Sequence, residues 1–171
     1  IARESAHTLS ELLNDVLDAA RFGSEPLRLR PRTFDLHRLL EDIAGAWRAA
    51  ARTKGLAFEL VIAGDVPRTV MLDPMRLKQV LTNLLSNACK YTHEGQVSLH
   101  ATRAPGGALQ FGVSDTGIGI ADGEQAKLFE PFVTLDDPLA GTRLEGSSGL
   151  GLSICRRVAT LMHGSVALES T

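Results

Sequence analysis

Two hydrophobic periods alternate along this chain, one of three to four residues and one of two, and they predict helices and strands in turn. In residues 1–22, Ala2, Ala6, Leu9, Leu13, Val16 and Ala20 follow alternating steps of four and three, with Leu12 and Leu17 widening the stripe. That heptad spacing predicts a helix that packs its seam against a partner helix, with Gly23 as its stop. Over 24–34, Leu27, Leu29 and Pro31 alternate with Arg28, Arg30 and Arg32. This predicts a short strand with one wet face, which Pro31 confines to an edge or a strand end. Asp35 is placed to cap a helix over 36–53, with Leu36, Leu39, Leu40, Ile43 and Trp47 on its buried side and Gly55 behind it. Leu56, Phe58, Leu60 and Ile62 predict a second strand, and residues 69–72 a third. Asp73-Pro74 pairs an N-cap with a proline at the first helical position. It opens a helix over 74–91 whose apolar positions are Leu77, Val80, Leu81, Leu84, Ala88 and Tyr91.

Beyond it, His93-Glu94-Gly95 makes a turn, Val97, Leu99 and Ala101 alternate, Pro105-Gly106-Gly107 turns again, and Leu109, Phe111 and Val113 alternate back. That is a β-hairpin. A short helix precedes Phe129-Glu130-Pro131-Phe132, and residues 133–148 are a long polar loop; a loop of that length inside a domain is usually functional or mobile. GSSGLGLS (Gly146 to Ser153) opens a helix with Leu152, Cys155, Val158, Ala159 and Met162 inward. His163-Gly164 ends it, and Val166 and Leu168 begin a last strand. Antiparallel strands with interposed helices predict an α+β fold, a two-layer sandwich of a mixed sheet packed on helices.

Composition narrows the function classes. The 171 residues carry a net charge of −2, with basic residues scattered apart from Arg28, Arg30 and Arg32, so no electrostatic footprint points to nucleic acid or an acidic membrane. Cys89 and Cys155 sit in apolar helical patterns without metal-ligand spacing, as buried free thiols do. No run of 18 apolar residues and no leader peptide is visible. The chain starts at Ile1, inside a helical pattern, which predicts a piece of a longer protein.

The chemistry lies in three polar residues on the 74–91 helix. Asn83, Asn87 and Lys90 are four and three residues apart and share one face. Two amides and an ammonium beside apolar neighbours are costly unless something polar meets them. Two neutral oxygens and a cation suit a hydrated metal ion and phosphates. Asp115 continues the inward alternation of Leu109, Phe111 and Val113 and is expected to point into the apolar layer, where a purine amino group would serve it; the alternative is that it caps the following turn. Gly117 and Gly119, in Asp115-Thr-Gly-Ile-Gly-Ile120, let the backbone approach a flat ring. Gly149 and Gly151 stand where a helix start favours phosphate. No Gly-Lys-Ser/Thr, no completed Gly-x-Gly-x-x-Gly, no HRD or DFG and no HExxH occurs, which removes the P-loop, dinucleotide-fold, Ser/Thr/Tyr-kinase and zincin readings.

In order, NLLSNACKYT (Asn83 to Thr92), DTGIGI, FEPF and GSSGLGLSI resemble the N, G1, F and G2 boxes of the sensor histidine kinase catalytic domain, in the Bergerat-fold ATP-binding superfamily. Leu12 to Phe22 resembles the end of that family's dimerisation and phosphoacceptor hairpin, so residues 1–23 are assigned to its second helix and 24–171 to the catalytic domain. The resemblance implies that Asn87 coordinates Mg²⁺, with Asn83 the first polar residue of the same box and a second candidate ligand. Lys90 matches the phosphate-contacting lysine, Tyr91 the ring against adenine, and Asp115 the reader of the adenine amino group. Gly117 and Gly119 border the base, Phe129 and Phe132 pack and anchor the lid, and Gly149, Leu150 and Gly151 form its phosphate-facing hinge. Arg143 is a lid charge, and Ser147-Ser148 replace the family's usual Gly-Thr.

The resemblance also marks what is missing. His7, in SAHTLS, lacks the acidic, arginine and proline neighbours of a phosphoacceptor, and only one helix fits between it and Leu27. No catalytic histidine is therefore expected on this chain, and His37, His93, His100 and His163 fall at helix starts, turns and strands. The implied partners are a second copy, through the heptad helix, and a response regulator receiver; nucleic acid and direct membrane contact are not implied. Two rival readings are a Bergerat-fold ATPase, whose first N-box residue is normally a glutamate base where this chain has Asn83, and a degenerate, non-catalytic partner.

Overall fold

The computed structural model of the protein describes residues 28–133 and 149–170. Residues 30–119 cluster as one unit and 120–170 as another. The first unit runs β1 (Arg32–Asp35), α1 (Leu36–Thr53), β2 (Ala57–Ile62), β3 (Thr69–Leu72), α2 (Pro74–Tyr91), β4 (Gln96–Arg103) and β5 (Leu109–Asp115).

Both long helices begin at the aspartates that the sequence marks. Asp35 Oδ1 accepts the Arg38 amide at 2.9 Å, and Asp73 Oδ1 accepts those of Met75 and Arg76 at 3.0 and 3.1 Å; these are first-turn donors with no intrahelical partner. α1 ends in a Schellman closure. Gly55 takes φ +77°, its amide reaches the Arg52 carbonyl, and Leu56 reaches that of Ala51.

β1 and β3 form an antiparallel pair, with Arg32 opposite Leu72. β2, β4 and β5 form a mixed sheet, β2 parallel to β4 and β4 antiparallel to β5. The register puts Phe58, Leu60 and Ile62 beside Val97, Leu99 and Ala101, and these beside Asp115, Val113 and Phe111. That apolar face packs with Leu36, Leu40 and Ile43 of α1 and Leu77, Leu81, Leu85, Ala88 and Cys89 of α2 into one core. The expected two-layer α+β sandwich is what forms. Each fully buried leucine contributes about 1.5–3 kcal/mol by leaving water.

In the second unit, α3 (Asp122–Gln125) is a single turn followed by a 3₁₀ turn at Lys127–Phe129, and α4 (Gly151–Leu161) is the main helix. Leu128, Leu150, Ile154, Cys155 and Val158 are buried. His163 closes α4 in the left-handed region, at φ +60°, with its amide on the Thr160 carbonyl and that of Gly164 on Ala159.

Several expectations need correction. The first strand begins at Arg32, not before Pro31, because the Arg30 amide is taken by Asp73 Oδ2 at 2.8 Å instead of by a neighbouring strand. Val166 and Leu168 do not join a sheet; residues 165–170 keep alternating exposure without a hydrogen-bonded ladder. Alternation sets which side chains turn inward, and a strand also needs a partner. On α2 the buried set includes Leu85 and Cys89, while Val80, Leu84 and Tyr91 are half-buried. On α4 Ile154 is buried, and Leu152, Ala159 and Met162 are only half-buried. The heptad helix over 1–22, the loop over 134–148, Arg143 and Ser147-Ser148 lie outside the described residues.

Candidate functional site

Asn83, Asn87 and Lys90 form one row on α2, separated from the buried row by Val80, Leu84 and Tyr91. All three are half-buried, and no residue from Gln79 to Tyr91 is exposed. Polar groups on a helix covered on every side need polar neighbours. The Lys90 ammonium lies 5.6 Å from the Tyr91 ring centroid, at the helix end where the dipole favours a cation.

Asp115 ends β5, cross-strand from fully buried Val97, so it does continue the inward face. It is nevertheless exposed, which corrects the expectation of a buried carboxylate. The reason is position: it is the last residue of the strand, where the covering layer stops. Its Oδ1 accepts the Gly117 amide at 2.8 Å and so caps the following turn. The same oxygen lies 3.5 Å from the Thr92 hydroxyl, which donates to the Ala88 carbonyl at 2.7 Å.

The turn after Asp115 sits directly on the end of α2. The Ile118 amide donates to the Tyr91 carbonyl at 3.3 Å. A Cβ on Gly117 would stand 2.4 Å from that carbonyl oxygen and 2.7 Å from Asp115 Oδ1, so only glycine fits. Gly119 takes φ +69°. Tyr91, Thr92, Asp115 and Gly117 are thereby brought into one hydrogen-bonded corner at the foot of the Asn83–Asn87–Lys90 row.

Gly149, Leu150 and Gly151 belong to the second unit. Gly149 takes φ +68°, and its missing Cβ would stand 2.6–2.9 Å from the backbone of Phe132 and Val133. The Phe132 amide donates to the Gly149 carbonyl at 2.9 Å, so residues on both sides of 134–148 are joined here. Leu150, the N-cap residue of the helix that starts at Gly151, is buried; that end carries the positive pole of the helix dipole. Phe129 is half-buried under the Arg156 guanidinium, 5.5 Å from its centroid. Phe132 was expected to pack; it is 71% exposed, at φ +67°, because the Gly149 clasp sets its backbone and turns the ring outward.

The donor set can be tested against the implied groups. Among the described residues no cluster of three or more His, Cys, Asp or Glu could hold a metal. A cation on this face would be held by neutral Asn oxygens, water and ligand phosphates, which fits Mg²⁺. The carboxylate of Asp115 and the backbone cradle at Gly117 fit a flat base bearing an amino group. Thr92 and Lys54 were missed in the sequence. Thr92 stands within the N-box run, at its polar end; Lys54, whose ammonium donates to the Cys89 carbonyl at 2.9 Å, carries no local signal.

Comparison with known proteins bears on this geometry. A family model described as "Histidine kinase-, DNA gyrase B-, and HSP90-like ATPase" matches residues 72–171. The virulence sensor protein BvgS of Bordetella bronchiseptica is 41% identical over 99% of the chain, which spans 14% of that protein. Full-length ShkA, solved in complex with AMPPNP, superposes with a TM-score of 0.82 at 35% identity, over 98% of this chain and 34% of that one. The histidine kinase ThkA, solved in complex with the response regulator protein TrrA, does so with a TM-score of 0.71 at 26% identity, over 93% of this chain and 43% of that one. Among the described residues no helix is long and apolar enough to cross a membrane.

Proposed function

The chain belongs to the histidine kinase-, DNA gyrase B- and HSP90-like ATPase family and is an ATP-binding catalytic domain of the sensor histidine kinase type; from that premise we propose that it holds Mg-ATP at the end of α2 for transfer to a histidine. The observation that carries the proposal is the corner where Gly117 lies on the Tyr91 carbonyl and Asp115 stands open beside it. Asp115 accepts from the purine amino group, with Gly117 and Gly119 along the base and Tyr91 against it. Asn87, with Asn83 beside it, supplies neutral oxygen to Mg²⁺, and Lys90 neutralises phosphate charge. In the second unit, taken by itself, Gly149, Leu150 and Gly151 are assigned by the family resemblance to the phosphate-facing hinge, at a helix N-terminus. Mg²⁺, when bound, screens the phosphate charge that the transfer must overcome.

Such a site accelerates transfer by positioning and charge neutralisation, without a covalent step on its own residues. The γ-phosphoryl leaves the β-phosphate oxygen for a ring nitrogen of a histidine on the dimerisation hairpin, and in the whole protein moves on to an aspartate of a response regulator. Dimerisation through the heptad helix would bring that hairpin together. The whole protein's activity rests on more than this chain, which spans a minor part of its relatives. Asn83 favours this reading over an ATPase, because an amide cannot act as base for water.

The test is calorimetric titration of the chain with Mg-ATP beside Asn87→Ala and Asp115→Ala. Both variants are expected to bind at least tenfold more weakly, about what one hydrogen bond to a charged group contributes. Unchanged affinity in both would remove the site. With radiolabelled ATP the chain is expected not to label itself; label on His7 would overturn the assignment of the acceptor elsewhere.

A further inference from the structure

The last turn of an α-helix leaves carbonyl oxygens that its own backbone cannot satisfy. At the end of α2 the C-cap residue Thr92 takes the Ala88 oxygen, and other parts of the chain take two more. The Ala88 oxygen accepts the Thr92 amide at 3.1 Å and hydroxyl at 2.7 Å, and the Tyr91 oxygen accepts the Ile118 amide. The Cys89 oxygen accepts the Lys54 ammonium at 2.9 Å, across 35 residues of sequence. Lys54 is the C-cap residue of α1, held by the Gly55–Leu56 closure, and Ala57 is bonded onward to the Gly95 carbonyl at 2.9 Å. Its backbone is thus fixed on both sides, and its charge sits at the negative pole of the α2 dipole.

Cys89 lies between Asn87 and Lys90, so the pinned carbonyl belongs to the turn that carries both proposed ligand arms. Helix ends open more readily than helix centres, and a site built on one needs its last turn held. We propose that Lys54 is a positioning residue for the nucleotide site: by holding the Cys89 carbonyl it keeps Asn87, Lys90 and Tyr91 wound in place against the Asp115 turn. The inference rests on the reading of that corner as an ATP site. A lysine that only lays its stem on the surface would influence stability alone.

Cys89 is a built-in reporter. Its thiol is buried, and reagent reaches it only when this turn opens; Cys155, buried in α4, serves as the reference. The 171-residue chain, Lys54→Met and Lys54→Arg would be compared by Mg-ATP calorimetry and by native-state thiol labelling. Lys54→Met is expected to weaken Mg-ATP about five- to tenfold and to speed Cys89 labelling, relative to Cys155, by a similar factor, as for a partly buried charge-assisted bond. Lys54→Arg is expected to restore both. If the wild-type chain binds and Lys54→Met binds equally well, the inference falls while the ATP reading stands. If both thiols speed up equally, Lys54 serves global stability and the inference falls as well. If the wild-type chain does not bind, the ATP reading falls and takes the inference with it.

Discussion

Gly117→Ala tests the corner most directly. The added Cβ would meet the Tyr91 carbonyl oxygen at 2.4 Å, whereas ordinary contact begins at 3.4 Å, so the turn must retreat by about 1 Å. The opposing atoms are backbone, and the third contact, Tyr91 carbonyl carbon at 3.0 Å, blocks the obvious escape. A retreat of that size breaks the Ile118 bond to Tyr91, already 3.3 Å long, and strains the Gly117 bond to Asp115. Overpacking of this kind costs about 1–3 kcal/mol, with about 1 kcal/mol of that from each hydrogen bond lost. Urea unfolding followed by circular dichroism should therefore show a lower midpoint with an unchanged slope. Mg-ATP affinity should fall at least tenfold, because Asp115 moves with the turn. Gly45→Ala is the control: Gly45 lies inside α1 with nothing within 4 Å of its added Cβ. It should raise stability by about 0.5–1 kcal/mol and leave nucleotide affinity alone. A Gly117→Ala chain with wild-type midpoint and affinity would refute the close approach of turn and helix, and with it the cradle.

Other expectations follow from the same geometry. Asp73→Ala removes three amide contacts from a buried carboxylate, including the link to Arg30, and should lower the unfolding free energy by about 2–3 kcal/mol by urea titration; Asp73→Asn should lose less. Burial raises the Cys89 thiol above its ordinary value of 9.0, with Lys54 opposing and Asp115 assisting. A raised folded pKa means that the stability it contributes is complete below the unfolded value and lost as pH rises through the folded one. Unfolding midpoints should then fall above pH 9 more steeply in wild type than in Cys89→Ala. The Asp35 carboxyl is held below 3.8, first by the Arg38 amide and then by Arg68. Its contribution is present above that value and disappears as pH falls through the lowered pKa, so the acid limb of the stability curve should flatten in Asp35→Asn.

Local chemistry was legible wherever one residue decides it. Asp35 and Asp73 announced both helix starts, Gly55 the end of α1, and the strand periods the hairpin and the core face. The Asn83–Asn87–Lys90 row followed from spacing alone. The exposure of Asp115 was not legible, because alternation gives the direction of a side chain but not where the covering layer ends. Phe132 failed for a related reason: its outward ring is set by the left-handed backbone that the Gly149 clasp imposes across sixteen intervening residues. The last strand failed because a partner, not a pattern, makes a ladder.

Sequence by itself thus determined the elements, the box order and the chemical types on the face of α2, since these depend on neighbours a few residues apart. Only the tertiary structure decided that a glycine must lie on the Tyr91 carbonyl, that Thr92 reaches toward Asp115, and that a lysine from the end of α1 caps the Cys89 carbonyl. Those contacts join residues 23 to 35 positions apart. They arise from the layering of helices on the sheet, and no period along the chain records them.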